Sequence, residues 1–272
     1  MLSSGRRRGG PPGSGVSVRS VSLTLGRFRA ALNEAVRRQL VIRNVAQYVT
    51  IPRAARRAEA EAKDIRTPWT AEEVKTFLAG IAGERLHAVM LLSLIGLRPA
   101  EVCGLRWSDV DFEAGTVAAG KNTRTIVDRI VVEKGAKSKS GDRDLPAPDV
   151  VMAALKEFKK RQAAEKLAAG EPYKASGYVL VDELGAPQRT DWLRRRAYEL
   201  MAKVGVRGKG QVRLYDCRHA CLTHLGASGV PDVILAAWAG HADGGALAKR
   251  VYIQPDMSHL KAASAQLSEL FG

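Results

Sequence analysis

An α+β fold, mostly helical and built in two parts, is what this 272-residue chain predicts, and three observations carry it. Apolar residues recur at helical spacing through most of the chain, whereas β-branched residues gather in one patch, roughly 116 to 145. A charged stretch over 51–68 gives way to Thr70 and Glu73, spaced as a capping box that starts a second, larger domain. The expected boundaries are a basic tail over 1–17, a small helical part with its linker over 18–65, and a mixed α/β domain with a small antiparallel sheet over 66–272.

Each element has its own signal. Residues 1–17, rich in Gly, Pro, Ser and Arg, bury too little apolar surface to order themselves, and no apolar run follows the early charges as a secretory signal would require. Leu25, Phe28, Leu32, Ala35 and Leu40 then fall at roughly helical spacing with arginines between them, a basic amphipathic helix read as DNA-facing. The stretch 51–68 reads as a charged linker. Residues 71–83 and 84–97 read as amphipathic to buried helices, 125–134 as part of a sheet, 150–168 as a long helix, 178–182 as a short strand, and 191–206 as a helix ended by glycine-rich sequence. From Tyr215 onward the pattern is helical almost to the end, where Leu260, Ala263, Leu267 and Leu270 form a stripe read as docking on a neighbouring subunit.

Charge narrows the partner. Forty-three Lys+Arg against 28 Asp+Glu give +15, and residues 1–66 hold 14 Lys+Arg against 4 Asp+Glu, so +10 of that total sits in the first quarter of the chain. A dense positive field suits a polyanion and makes binding steeply salt-dependent. No stretch approaches the 18 or so uninterrupted apolar residues of a membrane span. Cys103, Cys217 and Cys221, an odd count set in apolar helical patterns, fit a reducing cytoplasm, and the Cys217/Cys221 pair reads as core packing before metal binding. With no carboxylate cluster suited to a divalent ion and no nucleotide cradle in 205–211, neither metal nor cofactor is expected.

Four scattered segments hold the chemistry: GLRPAEVCGLRWSDVDF from Gly96, AKSKSGDRDLP from Ala136, YDCRHACLTHL from Tyr215, and WAGH followed by VYIQP. Arg98 follows the apolar run LLSLIGL, a rigid mount for a bidentate phosphate contact. Lys137 lies in the turn of a predicted hairpin, from which a lysine can reach a phosphate and deliver a proton. Arg218 and His219 stand early in an apolar helix, where a charge is expensive unless an anion meets it. Gly240 permits a helix-ending bend that turns His241 outward, and Tyr252 follows eleven residues on.

Taken together, these segments resemble the catalytic domain of the tyrosine recombinase family, the phage integrase type. The resemblance covers roughly 240 residues. It implies that Arg98, Arg218 and His241 stabilise charge on a scissile phosphate, that Glu101 supports Arg98, and that Tyr252 is the nucleophile forming a 3′-phosphotyrosine. Lys137 is the implied proton donor, with Lys139 and Lys134 as rivals; His219 is read as a structural helix residue. Tyr215 stands where the family usually has histidine, and a phenol donates a hydrogen bond well but is a poor base near neutral pH. The implied architecture is a helical core-binding domain, here only its second half, and a catalytic domain that clamp double-stranded DNA, working as a homo-oligomer, a tetramer on DNA by the resemblance. The competing readings are a type IB topoisomerase and a truncated, catalytically weakened remnant that only binds DNA.

Overall fold

The structure is a computed structural model that describes residues 15–61, 69–127, 130–135, 141–206 and 213–241. It divides into two units, Met1–Ile65 and Arg66–Gly272.

In the first unit, Ser17 accepts a hydrogen bond from the Ser20 amide and starts helix α1, Val18–Arg37. The chain then returns along α1 through a 3-10 turn, Val45–Tyr48, to helix α2, Arg53–Glu61. Polar contacts hold the return in place. Arg29 donates from Nε to the Ala46 carbonyl at 2.9 Å, and Asn44 donates to the Arg29 carbonyl and to Asn33 Oδ1 at 2.9 and 2.7 Å. None of the α1 residues is buried, and Leu23 and Phe28 are exposed. Helix α2 takes up 53–61 of the stretch 51–68 read as a charged linker, and 62–68 lie outside the described residues; Ala, Arg and Glu have high intrinsic helix propensity even where no apolar stripe marks a helix.

The second unit carries the main core. Helix α3 (Ala71–Gly80) opens on the predicted capping box, with the Thr70 amide on Glu73 Oε2 at 2.8 Å and the Glu73 amide on Thr70 Oγ1 at 3.2 Å. Helix α4 (His87–Leu94) buries every residue from Ala88 to Ser93. It packs among the short helix α5 (Pro99–Gly104), the long helix α6 (Asp149–Ala169) and α8 (Asp216–Ala227). Helix α7 (Thr190–Val204) ends at Gly205 in the left-handed region, and α9 (Asp232–Ala239) ends in the same way at Gly240.

The strands form two antiparallel sheets. Strands β1 (Val110–Asp111), β2 (Thr116–Ala119) and β5 (Arg143–Pro146) make one, in the order β1-β2-β5. Strands β3 (Asn122–Val127) and β4 (Ile130–Gly135) make the other, in register from Asn122 opposite Gly135 to Val127 opposite Ile130. The β-branched run expected to be sheet therefore lies, at 125–127 and 130–134, on two paired strands. Lys137 and Lys139 belong to 136–140, outside the described residues, and the strands flanking that segment are not partners: β4 pairs with β3, β5 with β2. The predicted strand at 178–182 is buried at Val179, Leu180 and Val181, yet pairs only through the isolated bridges Arg106–Tyr178 and Val181–Pro187. Among the described residues, no helix is long and apolar enough to cross a membrane.

Candidate active site

Gly96 takes φ of +103°, a conformation that glycine accepts readily, and turns the chain from the end of α4 into Arg98. Arg98 is the N-cap of α5, with Pro99 at the first helical position. Its amide donates to Glu101 Oε2 at 2.8 Å and its Nη1 to Glu101 Oε1 at 2.6 Å. The guanidinium is thus aimed by its own helix start, and its side chain remains 31% exposed.

Helix α8 supplies the second arginine. Arg218 is only 1% exposed, with Nη1 on the Gly96 carbonyl at 2.6 Å and Nη2 on the Ala239 carbonyl. The left-handed cap at Gly240 turns His241 back so that its Nε2 lies 3.3 Å from Arg218 Nη2, and the Gly240 carbonyl lies 3.4 Å from Arg98 Nη2. Tyr215 is the N-cap of α8, three residues before Arg218 and 42% exposed. His219, next along the helix, is part-buried, and burial lowers its pKa against the pull of Asp216.

A third arginine, which the sequence reading did not single out, completes the cluster. Arg143, at the start of β5, donates from Nη1 and Nη2 to the two Glu101 oxygens at 3.3 and 3.2 Å, and from Nε to the Trp238 carbonyl at 2.7 Å. A signal was present: in a strand, residues two apart share a face, so Arg143 lies on the side of buried Leu145. Trp238 was also missed. Its indole N–H donates to the Ile95 carbonyl at 2.8 Å, tying α9 to the end of α4.

The electrostatics are lopsided. Arg98 and Arg143 share the Glu101 carboxylate while Arg218 rests on carbonyl oxygens nearby, so the cluster carries excess positive charge. Burial alone would raise the Glu101 pKa, but the charge and hydrogen bonds of Arg143, then those of Arg98, hold it below the ordinary 4.5. For Arg218, burial first and the neighbouring Arg98 charge second lower the pKa to about 10, so it stays charged at neutral pH. A buried cation held chiefly by carbonyl oxygens is costly unless an anion joins it, and among the described residues Arg218 Nε is buried without a hydrogen-bond partner. Burial pushes the Cys217 thiol up to about 12 and Cys221 to about 11, so neither is a nucleophile near neutral pH. Among the described residues no group of three or more His, Cys, Asp or Glu could hold a metal ion.

Thus Arg98, Glu101, Arg218 and His241 come together, with Tyr215 one helical turn away. Lys137, Lys139 and Tyr252, like the stripe from Leu260 to Leu270, lie outside the described residues. Lys134 is described: it sits on β4 opposite Thr123, exposed, on the rim of a polar cleft with Arg106 and Tyr178.

A profile of the phage integrase family matches residues 69–259. The chain belongs to the phage integrase family. A tyrosine recombinase XerC-like protein of Caldanaerobacter subterraneus subsp. tengcongensis is 32% identical over 184 residues, covering 63% of this chain and about half (46%) of that relative. Tyrosine recombinase XerA of Pyrococcus furiosus is 25% identical over 259 residues, 92% of this chain and 74% of XerA. Among solved structures, this phage integrase family chain has the fold of the Tn1549 transposon integrase in complex with transposon right end DNA, with a TM-score of 0.73 at 19% identity over 93% of this chain and 81% of that one. A lambda integrase dimer bound to a core site aligns with a TM-score of 0.53 at 13% identity over 88% and 75% of the two chains. The mostly helical α+β fold with small antiparallel sheets is that of these integrases.

Proposed function

We propose that this phage integrase family chain is a site-specific DNA recombinase that cuts and rejoins duplex DNA through a 3′-phosphotyrosine, serving an integrated phage or mobile element. The observation that carries the reading is that Arg98, Arg218 and His241 lie in one net-positive cluster, His241 Nε2 beside Arg218 Nη2 and the Gly240 carbonyl beside Arg98 Nη2. Such preorganised donors are worth most where charge develops in a transition state.

In the proposed step the Tyr252 oxygen attacks phosphorus as its phenolic proton passes to solvent water, and the bond to the 5′-oxygen breaks. That oxygen takes a proton from Lys137 in this assignment, with Lys139 and Lys134 as alternatives. Arg98, Arg218 and His241 hold the non-bridging oxygens, while Tyr215 donates a hydrogen bond to one of them. Bond energy is kept in the phosphotyrosine ester, and a 5′-hydroxyl from a partner strand reverses the step to reseal the DNA. Strand exchange between two duplexes needs several protomers, so the working form is proposed to be a homo-oligomer on DNA. The first unit, basic along α1, would grip the duplex as a partial core-binding domain. The prearranged cluster of Arg98, Arg218 and His241 favours this reading over the DNA-binding remnant.

The test uses nicked suicide duplexes tiled across the DNA flanking the chain's own gene. The full chain is expected to form a covalent adduct stable to denaturant, with mass spectrometry placing the phosphate on Tyr252. An adduct that persists in Tyr252→Phe sinks the assignment.

A further inference from the structure

The geometry points to Arg143 as a positioning residue of the cleavage site, one that aims Arg98 and His241 without touching DNA itself. The inference rests on the recombinase reading and deepens it. Arg143 is well buried, its side chain 8% exposed, and all three of its nitrogens are engaged inside the protein. What it holds is specific. Two contacts go to Glu101, whose other donors are the amide and Nη1 of Arg98, so the carboxylate is a bridge between the two arginines. A third goes to the carbonyl of Trp238, three residues before His241 on the helix whose cap sets that imidazole. A fourth, from Nη1 to the Gly141 carbonyl at 3.1 Å, fixes the chain directly after 136–140, the segment that contains Lys137.

One planar fork therefore joins α5, α9 and β5, the elements that carry or flank Arg98, His241 and Lys137. A lysine has a single nitrogen and cannot hold these directions together. The packing behind the fork is equally committed. Gly120 has φ of +84°, and a Cβ there would stand 1.8 Å from the Gly141 carbonyl oxygen and 3.4 Å from Arg143 Nη1.

Single-turnover cleavage of the nicked duplex at saturating protein tests the inference in the full chain, alongside DNA affinity by anisotropy and thermal stability. Arg143→Ala is expected to cleave about 100-fold more slowly, the scale of a displacement near 1 Å in a catalytic group, with DNA affinity within about threefold of wild type. Added guanidinium ion is expected to restore part of the rate. In Arg143→Ala, among the described residues only Arg98, and beyond it Arg218, still faces Glu101. Burial then raises that carboxyl, and the acid limb of the pH–rate profile moves upward; Glu101→Gln in the same background removes the shift. Arg143→Lys, which keeps the charge, serves if the alanine variant does not fold, and a loss of about tenfold is expected from broken bidentate geometry. Wild-type cleavage by a folded Arg143→Lys or Arg143→Ala overturns the inference, as does a rate loss matched by an equal loss of affinity. A wild-type chain that forms no adduct overturns the recombinase reading beneath it.

Discussion

Glu101 is the carboxylate on which two arginines meet, and its behaviour with pH follows from that. It is 3% exposed with four hydrogen bonds from Arg98 and Arg143. Its folded pKa lies below its ordinary 4.5, so the stabilisation it gives is present above pH 4.5 and lost as pH falls through the lower folded value. Glu101→Gln is expected to cost about 3 kcal/mol at pH 7, because it leaves the buried Arg143 guanidinium and the partly buried Arg98 without their counter-charge. In urea unfolding followed against pH, that gap should narrow steadily below 4.5. Tyr215 offers a gain instead of a loss. Since a phenol near neutral pH is a poor base, Tyr215→His is expected to raise single-turnover cleavage about tenfold, with the new rate falling as the imidazole charges near pH 6.5. A pH–rate profile of the variant against wild type reads both effects. Arg98, Glu101, Arg218 and His241 were legible because short motifs carry them. Arg143 was not singled out, because a charged residue beside a lysine-rich turn looks solvated until its strand is seen to face inward.

Helix α5 owes its place to a glycine. A Cβ on Gly104 would meet the Asn122 carbonyl oxygen at 2.5 Å and Thr123 Cα at 2.7 Å, both backbone atoms of β3 that cannot swing aside. Gly104→Ala is therefore expected to cost about 2 kcal/mol or more and to lower Tm by roughly 5 °C for a domain of this size, read by differential scanning fluorimetry. Because α5 begins at Arg98, cleavage should fall with it. Local chemistry made some elements readable and hid others. The Thr70/Glu73 box and the apolar run of α4 announce themselves. Helix α2 does not, since its Ala, Arg and Glu residues favour helix without an apolar stripe, and residues 178–182 look like a strand because burial on both faces, not pairing, selects their apolar run.

Across the whole chain the charge is unevenly placed, with +10 of +15 in residues 1–66. Each phosphate neutralised contributes about 0.9 to the slope of log affinity against log salt. Removing residues 1–14, which carry Arg6, Arg7 and Arg8, is expected to flatten that slope by up to about 2.7 units. Anisotropy titrations of a labelled duplex between about 50 and 200 mM salt check this; an unchanged slope would mean that these arginines stay off the DNA.

By itself the sequence determined the main helices, the sheet-rich patch, the basic front and the residues whose types suit phosphate chemistry, because periodicity, caps and charge are properties of neighbours along the chain. Tertiary structure alone decided which groups meet: Arg218 with the Gly96 carbonyl 122 residues away, Arg98 with Gly240 across 142, and Arg143 with Trp238 across 95. Those contacts depend on how β5 pairs with β2 and how α9 folds back over the end of α4. No local spacing encodes such returns; they are fixed by the packing of one shared core and by the need of buried charges for partners.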